Sequence, residues 1–126
     1  MAPTQNAEDR LDFKQMCARF DVTPRTLRHY EYIELLSPDR EGRARFYGPR
    51  EVARMTLILR GRRFGFSLEE IRQWLEIYDR GEGWEGQRDI WLQKADAQLE
   101  ELHARRTELE EIITELKSLR DASAKI

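Results

Sequence analysis

The sequence predicts a mainly α-helical protein, in which a winged helix-turn-helix domain is followed by a long dimerising coiled-coil helix. Three observations lead to this fold class. Two short helix patterns follow one another closely, a turn signal with two short arms comes next, and a heptad pattern without Gly or Pro fills the C-terminal part. A chain of 126 residues has room for one compact domain and an extended element.

The first predicted helix covers Leu11 to Phe20. Its apolar residues recur on one face, at Phe13, Met16, Cys17 and Phe20. Residues 1–10 show no such periodicity, so we expect them to form a disordered tail. Asp21 and Val22 make the short turn of a helix-turn-helix unit, with the folded domain extending over residues 11–80.

The second predicted helix begins after Thr23 and ends at about Ile33. The Thr23 hydroxyl can cap the helix, and Pro24 suits its first position because the missing N–H would be unpaired there in any case. Leu27 and either Tyr30 or Glu31 give a buried stripe. This spacing leaves a basic exposed face, formed by Arg25, Arg28 and His29.

A two-stranded wing is predicted between Asp39 and Tyr47. Ser37-Pro38 cannot continue the preceding helix, and Glu41-Gly42 is a turn signal between two short arms. Gly48-Pro49 then opens a third helix, on which Arg54 and Arg60 are expected to be exposed.

Phe64-Gly65-Phe66 interrupts the third helix, and Ser67 to Glu70 has the pattern of a capping box for a fourth helix that ends at about Tyr78. Two glycines, Gly81 and Gly83, predict a linker over residues 81–87.

A heptad seam follows over residues 88–122, with a short tail at 123–126. The seam positions are Leu92, Ala95, Leu99, Leu102, Arg106, Leu109, Ile113, Leu116 and Arg120, of which seven are apolar. A single helix with such a seam needs a partner, and the chain has no second long helix. We therefore predict a homodimer held by Leu92, Leu99, Leu102, Leu109, Ile113 and Leu116.

Positive charge is concentrated in the middle of the chain. Residues 25–63 contain ten arginines and five acidic residues, whereas the whole chain has a net charge of −2. Guanidinium groups on a short helix and a hairpin are suited to phosphate oxygens and guanine edges. The alternative is an ordinary solvated charged surface.

Several function classes have no support in the sequence. The single cysteine, Cys17, excludes a multi-thiolate metal site within one chain, and two histidines give little support to any metal site. No nucleophile-and-base constellation or phosphate loop is visible, so we expect neither an enzyme nor a cofactor. The chain lacks a membrane-spanning run and a signal pattern, which predicts a cytoplasmic protein.

Three segments, TPRTLRHYE, LLSPDREG..RFY and RRFGFSLEEI, resemble the MerR family of bacterial transcription regulators over about residues 11–80. The resemblance implies a homodimer that binds promoter DNA and is joined by an antiparallel coiled coil. It implies that Arg25 and Arg28 face the DNA and that Tyr30 packs near or against the DNA backbone. It also implies phosphate or minor-groove contacts by Arg43 and Arg45 in the wing and by Arg60 after it. The complete predicted DNA-contact set is Arg25, Thr26, Arg28, His29, Tyr30, Arg43, Arg45, Tyr47 and Arg60.

Two residues depart from the family pattern. His29 stands where the family usually has Tyr, and Glu34 stands where it usually has Gly. Glu34 must therefore either adopt or avoid a left-handed backbone that glycine takes freely. The departure affects the expected local turn and not the expected fold.

Three tryptophans, Trp74, Trp84 and Trp91, flank the predicted linker. They form either a hydrophobic joint or an apolar pocket for an effector, which would be a small apolar molecule or an acyl-CoA-like thioester. The runs REGR..FYGPRE and LILRGRRFGFSLEEI are similar to short family members that control branched-chain amino-acid and acyl-CoA catabolism.

These observations predict a dimeric regulator that binds a palindromic promoter operator, and the family resemblance implies that it distorts the promoter spacer read by RNA polymerase. The rival hypothesis is a coiled-coil adaptor whose basic patch binds an acidic protein. Arginines on both the second helix and the wing favour the regulator, because an adaptor has no need of both.

Overall fold

A computed structural model describes residues 9–80 and 85–126 of the chain. The chain divides into two units, a head that ends at Asp79 and a second unit that begins at Arg80. The elements follow the order β1 (Leu11–Asp12), α1 (Phe13–Phe20), α2 (Pro24–Tyr32), β2 (Asp39–Glu41), β3 (Ala44–Tyr47), α3 (Pro49–Phe64), α4 (Leu68–Arg80) and α5 (Glu85–Ala124).

The predicted two-stranded hairpin between Asp39 and Tyr47 is confirmed, and a third strand that was not predicted joins it. Leu11 and Asp12 form β1, which pairs antiparallel with β3 so that Leu11 lies opposite Tyr47. The sheet order is β1-β3-β2. The first helix therefore begins at Phe13 and not at Leu11, because the backbone of these two residues pairs with the exposed edge of β3.

Arg10 also belongs to the head, although residues 1–10 were predicted to form a tail. Its guanidinium lies 2.9 Å from the Glu41 carboxylate and 3.9 Å from the centroid of the Phe46 ring. These contacts hold the segment before β1 against the wing. Residues 1–8 of the predicted tail lie outside the described residues.

Side chains cap both helices of the helix-turn-helix unit. Asp12 and Gln15 form a capping box at the start of α1. The predicted cap on α2 is confirmed, since the Thr26 N–H donates to Thr23 Oγ1 at 3.1 Å and Pro24 occupies the first turn. Asp21, between the helices, has a left-handed backbone with φ of 52°.

Glu34 adopts the left-handed backbone that the family pattern assigns to glycine, with φ of 63°. The turn closes by backbone hydrogen bonds, because the Leu35 and Leu36 N–H groups both donate to the Tyr30 carbonyl, at 2.9 and 3.3 Å. Leu35 and Leu36 are thereby directed into the core. Burial of these two leucines offsets the conformational cost of a non-glycine residue at Glu34.

The core of the head draws on α1, α2, the wing, α3 and α4. Its buried apolar side chains are Met16, Leu27, Tyr30, Leu35, Leu36, Tyr47, Met55, Ile58, Phe66, Ile71 and Leu75. Gly61 permits α3 and α4 to approach closely, since a Cβ there would lie 2.7 Å from Ile71 Cγ1. The predicted capping box of α4 is confirmed by reciprocal hydrogen bonds between Ser67 and Glu70.

Arg54 is buried, so the prediction that it stays exposed is wrong. Its Nε donates to the Leu35 carbonyl at 3.0 Å, and its Nη1 donates to Asp79 Oδ2 at 2.6 Å. The buried Glu51 lies 3.9 Å from Arg54 and accepts from the Ser37 N–H at 3.0 Å. This polar cluster joins α3 to the end of α4 and to the loop after α2.

The second unit is dominated by α5, whose 40 residues span about 60 Å at 1.5 Å per residue. The helix begins at Glu85, three residues before the predicted start of the coiled coil, and continues to Ala124. The predicted dimerisation residues are exposed in the single chain, with fractions from 39% at Leu102 to 65% at Leu116. Within residues 9–80 and 85–126, no helix combines the length and apolar character needed to cross a bilayer.

Candidate nucleic-acid interface

The exposed face of α2 carries the cations that the sequence placed there. Arg25, Arg28 and His29 are all exposed. No ion pair is formed by Arg25 or Arg28 with any residue of the described ranges, and the Arg28 guanidinium lies 5.2 Å from the centroid of the Phe13 ring. These two guanidinium groups are therefore available to an outside ligand.

Thr26 has a structural role in the same turn. Its side chain is half-buried, and its hydroxyl accepts a hydrogen bond from the Thr23 hydroxyl at 2.9 Å. The residue thus takes part in the cap of α2, and it lies beside the predicted DNA-facing arginines.

Two further predicted cations are exposed outside α2. Arg43 lies at the tip of the wing, next to Gly42, whose φ of 64° allows the tight turn between β2 and β3. Arg60 is exposed on α3. Neither forms a salt bridge with a described residue. The wing tip and α3 therefore present positive charge to solvent.

Tyr30 and Tyr47 are core residues, and their contact with DNA stays a prediction. Tyr47 is fully buried and Tyr30 is only 7% exposed. The pKa of the Tyr47 hydroxyl is raised far above its usual value. The main cause is burial of the hydroxyl, and the second is the hydrogen bond that it donates to Glu31. Each ring packs between α2 and its neighbours. A sequence motif that contains both aromatic and basic residues does not by itself indicate which aromatic residue is buried.

Glu31, which was not among the predicted site residues, links α2 to both strands of the wing hairpin, β2 and β3. Its side chain is 7% exposed. It accepts the hydroxyl hydrogen bond of Tyr47 from β3, lies 2.9 Å from Arg45 Nε on β3, and lies 3.8 Å from Arg40 on β2. One carboxylate therefore sets the position of the wing relative to α2.

The same contacts change the expected role of Arg45. Its side chain is only 25% exposed, and the guanidinium also lies 5.4 Å from the centroid of the Phe13 ring. The group is held inside the head by Glu31 and is not a free cation like Arg43. One feature of the sequence could have indicated this pairing: Glu31 is an acidic residue on the apolar side of α2, in a region rich in arginine.

The three tryptophans are distributed over both units. Trp74 lies on α4, with one ring carbon 3.6 Å from the position of a Cβ at Gly61. Trp91 is half-buried on α5, and Trp84 lies outside the described residues. The effector pocket formed by these residues stays a prediction. In the described part of the chain, no three His, Cys, Asp or Glu side chains form a possible metal site.

Comparison with known proteins identifies the family. Residues 12–77 match the model for the MerR HTH family regulatory protein, and residues 52–119 match the model described as MerR, DNA binding. The chain is 35% identical over 100 residues to the HTH-type transcriptional regulator HmrR of Rhizobium leguminosarum bv. viciae, covering 75% of this chain and 78% of that protein. The chain belongs to the MerR family. It is accordingly a DNA-binding transcription regulator, as its motifs predicted.

Solved MerR-family structures have the same fold. A MerR-family regulator from Bacillus cereus aligns with a TM-score of 0.69 at 26% identity, over 86% of this chain and 78% of that one. HiNmlR, a MerR regulator that lacks the sensor domain and was solved bound to promoter DNA, aligns with a TM-score of 0.64 over 82% and 78% of the two chains. Its 19% identity supports a common fold alone. The predicted winged helix-turn-helix followed by a long helix is confirmed.

Proposed function

We propose that this MerR-family protein binds a palindromic promoter operator as a homodimer and controls transcription by distorting the promoter spacer. The observation that carries the proposal is the presence of unpaired arginines on both α2 and the wing tip of one head, in a chain that also has an exposed apolar seam. A dimer of such chains presents two equivalent basic surfaces, which suits a two-fold symmetric DNA site. An adaptor would need the seam but not both arginine groups.

The two groups of arginines have different tasks in this proposal. Arg25 and Arg28 project from a short helix that can enter the major groove, where a guanidinium can bind guanine bidentately. Arg43 projects from a hairpin tip, which suits the phosphate backbone beside the groove. Arg45 acts indirectly, because its ion pair with Glu31 holds the wing in place.

Substituting one arginine from each group should separate these tasks. Arg28→Ala should weaken binding to the operator by about 1–3 kcal/mol and relax sequence preference, because a base contact is lost. Arg43→Ala should weaken binding to all sequences similarly and reduce the salt slope by about one for each subunit, because a phosphate contact is lost. Fluorescence anisotropy with operator and scrambled duplexes at several salt concentrations measures both effects.

Arg105→Ala is the matched control for these variants. It removes one arginine from the exposed surface of α5, where Arg105 pairs with Glu101 at 2.8 Å. Its operator affinity and salt slope should equal those of the wild type. Equal affinity for all four proteins across the salt range would contradict the proposed DNA surface.

Promoter control is proposed to act through the shape of the DNA. Bending or untwisting a site of 20–30 base pairs costs about 1–6 kcal/mol, which charge-assisted phosphate contacts from two heads can offset. The distortion would realign two promoter elements that are separated by an over-long spacer, so that RNA polymerase can read both. The operator is therefore placed between these elements.

Shortening the spacer tests this mechanism. Deleting about one or two base pairs from the operator centre should make transcription independent of the protein, because the elements are then already aligned. The centre of the intact operator should become hypersensitive to chemical cleavage when the protein activates transcription in vitro. A footprint wholly upstream of the promoter, with an undistorted centre and regulation unchanged by the deletion, would refute the mechanism but not DNA binding.

A further inference from the structure

We infer that Arg25, His29 and Arg62 form a binding site for one DNA backbone phosphate, and that protonation of His29 makes DNA affinity depend on pH. The inference rests on the proposed function and adds a contact residue, Arg62, and a chemical dependence that the family pattern does not supply. His29 stands where the family usually has Tyr, whose side chain stays neutral between pH 5.5 and pH 8.

The three side chains meet in one cleft of the head. The cleft has a volume of about 450 Å³ and is lined by Arg25, Thr26, His29, Tyr30, Arg62 and Leu68. Arg25 and His29 are four residues apart on α2, so they project from the same face of the helix. Arg62 reaches the cleft from α3, where its Nη1 donates to the Phe66 carbonyl at 3.3 Å. Two arginines and one histidine thus line one opening.

The lining is suited to an anion because it contains no carboxylate. The groups that face His29 are Arg25 and Tyr30 on α2, Arg62 on α3 and the uncharged Leu68 on α4. The next two acidic residues on α4 are engaged elsewhere. Glu70 accepts the Ser67 N–H at 3.0 Å, and Glu69 lies 3.7 Å from Arg72.

Position favours a phosphate of the DNA backbone as the anion. Arg25 belongs both to the cleft and to the exposed basic face of α2. When α2 lies in the major groove, the cleft is therefore next to the phosphates of the DNA strand that borders the groove. Buried Tyr30 forms part of the lining, and its ring centroid lies 6.3 Å from that of His29. The imidazole thus lies beside a buried side chain of the core.

The sign of the pH effect follows from the charge of the ligand. An imidazole gains a proton as pH falls, and only the protonated form attracts phosphate as a cation. DNA binding therefore takes up protons, and affinity increases as pH decreases. Each protonated imidazole should strengthen binding about threefold, the size of an exposed ion pair, so the dimer should bind about tenfold more tightly.

The experiment measures operator affinity between pH 8 and pH 5.5 at constant ionic strength, using fluorescence anisotropy with the full-length protein. His29→Gln should remove the pH dependence and keep the weaker, high-pH affinity. His29→Arg should also remove it but keep the tighter, low-pH affinity, because its charge is permanent. His103→Gln is the matched control, since His103 is the only other histidine in the chain and lies on α5.

Arg62→Gln provides an independent measurement at one pH. It should reduce the salt slope of binding by about one for each subunit, because one phosphate contact per head is lost. Circular dichroism of each variant checks that the head is folded.

The outcomes separate this inference from the proposed function. A pH dependence that persists in His29→Gln, or that disappears in His103→Gln, would overturn the inference. An operator affinity of the wild type that does not change with pH would also overturn it while leaving the regulator proposal intact. Absence of DNA binding by the wild type at every pH would contradict the regulator proposal itself.

Discussion

Replacing both Leu102 and Leu109 by aspartate should abolish the homodimer. Both leucines lie on the heptad seam of α5 and are exposed in the single chain, at 39% and 58%. Each leucine that a partner helix covers contributes about 1.5–3 kcal/mol, and the dimer would lose four of them. Aspartates in the same positions would also place unpaired charges inside the seam. Sedimentation equilibrium at micromolar concentration should show a monomer, with operator binding lost in parallel.

A second pair of substitutions controls for added charge on a long helix. Ala97→Asp with Ala104→Asp has the same seven-residue spacing, but both positions lie on the side of α5 away from the seam. This variant should remain dimeric and bind the operator like the wild type. A folded monomeric wild type at micromolar concentration, or dissociation of the control to the same extent, would contradict a dimer held by this seam.

Arg54→Ala should destabilise the head by about 1–3 kcal/mol, the typical cost of leaving a buried polar group without its hydrogen-bond partner. The substitution removes the donor to the Leu35 carbonyl and takes the closest cation from Asp79, while Arg50 stays 2.9 Å from Glu51 and 3.3 Å from Asp79. Urea denaturation should show a lower midpoint with a similar slope. Protein concentration must be the same for all variants, because dimerisation shifts the apparent stability.

Arg60→Ala is the matched control on the same helix. Arg60 is exposed, so its removal should change the free energy of unfolding by less than about 0.5 kcal/mol. Arg60→Ala should weaken DNA binding without destabilising the head, because Arg60 is an exposed residue and a predicted DNA contact. Comparable stability of Arg54→Ala and Arg60→Ala would show that the buried cluster does not hold α3 to α4.

Local signals identified most elements of the head before their packing was known. The cap at Thr23, the proline at Pro24 and the capping box at Ser67 each depend on residues three or fewer apart, so the sequence displays them directly. The strand β1 has no such signal. Two residues, Leu11 and Asp12, become a strand only because the edge of β3 lies beside them.

The candidate site shows the same division between local and distant causes. Exposed arginines were predicted from periodicity on α2, and Arg25 and Arg28 are exposed as expected. The roles of Tyr47 and Arg45 depended instead on Glu31, which is 16 residues from Tyr47 along the chain. Residue spacing within one helix or hairpin predicts which side chains share a face. It does not predict which carboxylate and which cation form an ion pair between two different elements.

The sequence alone determined the family, the helix-turn-helix with its wing, the long helix and the basic character of α2, because periodicity, caps and motif order are local properties. Only the tertiary structure decided which charges are free. It buried Arg54 against Asp79, committed Arg45 to Glu31, and brought Arg62 from α3 to the same cleft as Arg25 and His29. Ten arginines of one region are equivalent in the sequence, and they become different only when packing places an acid, a carbonyl or solvent beside each guanidinium.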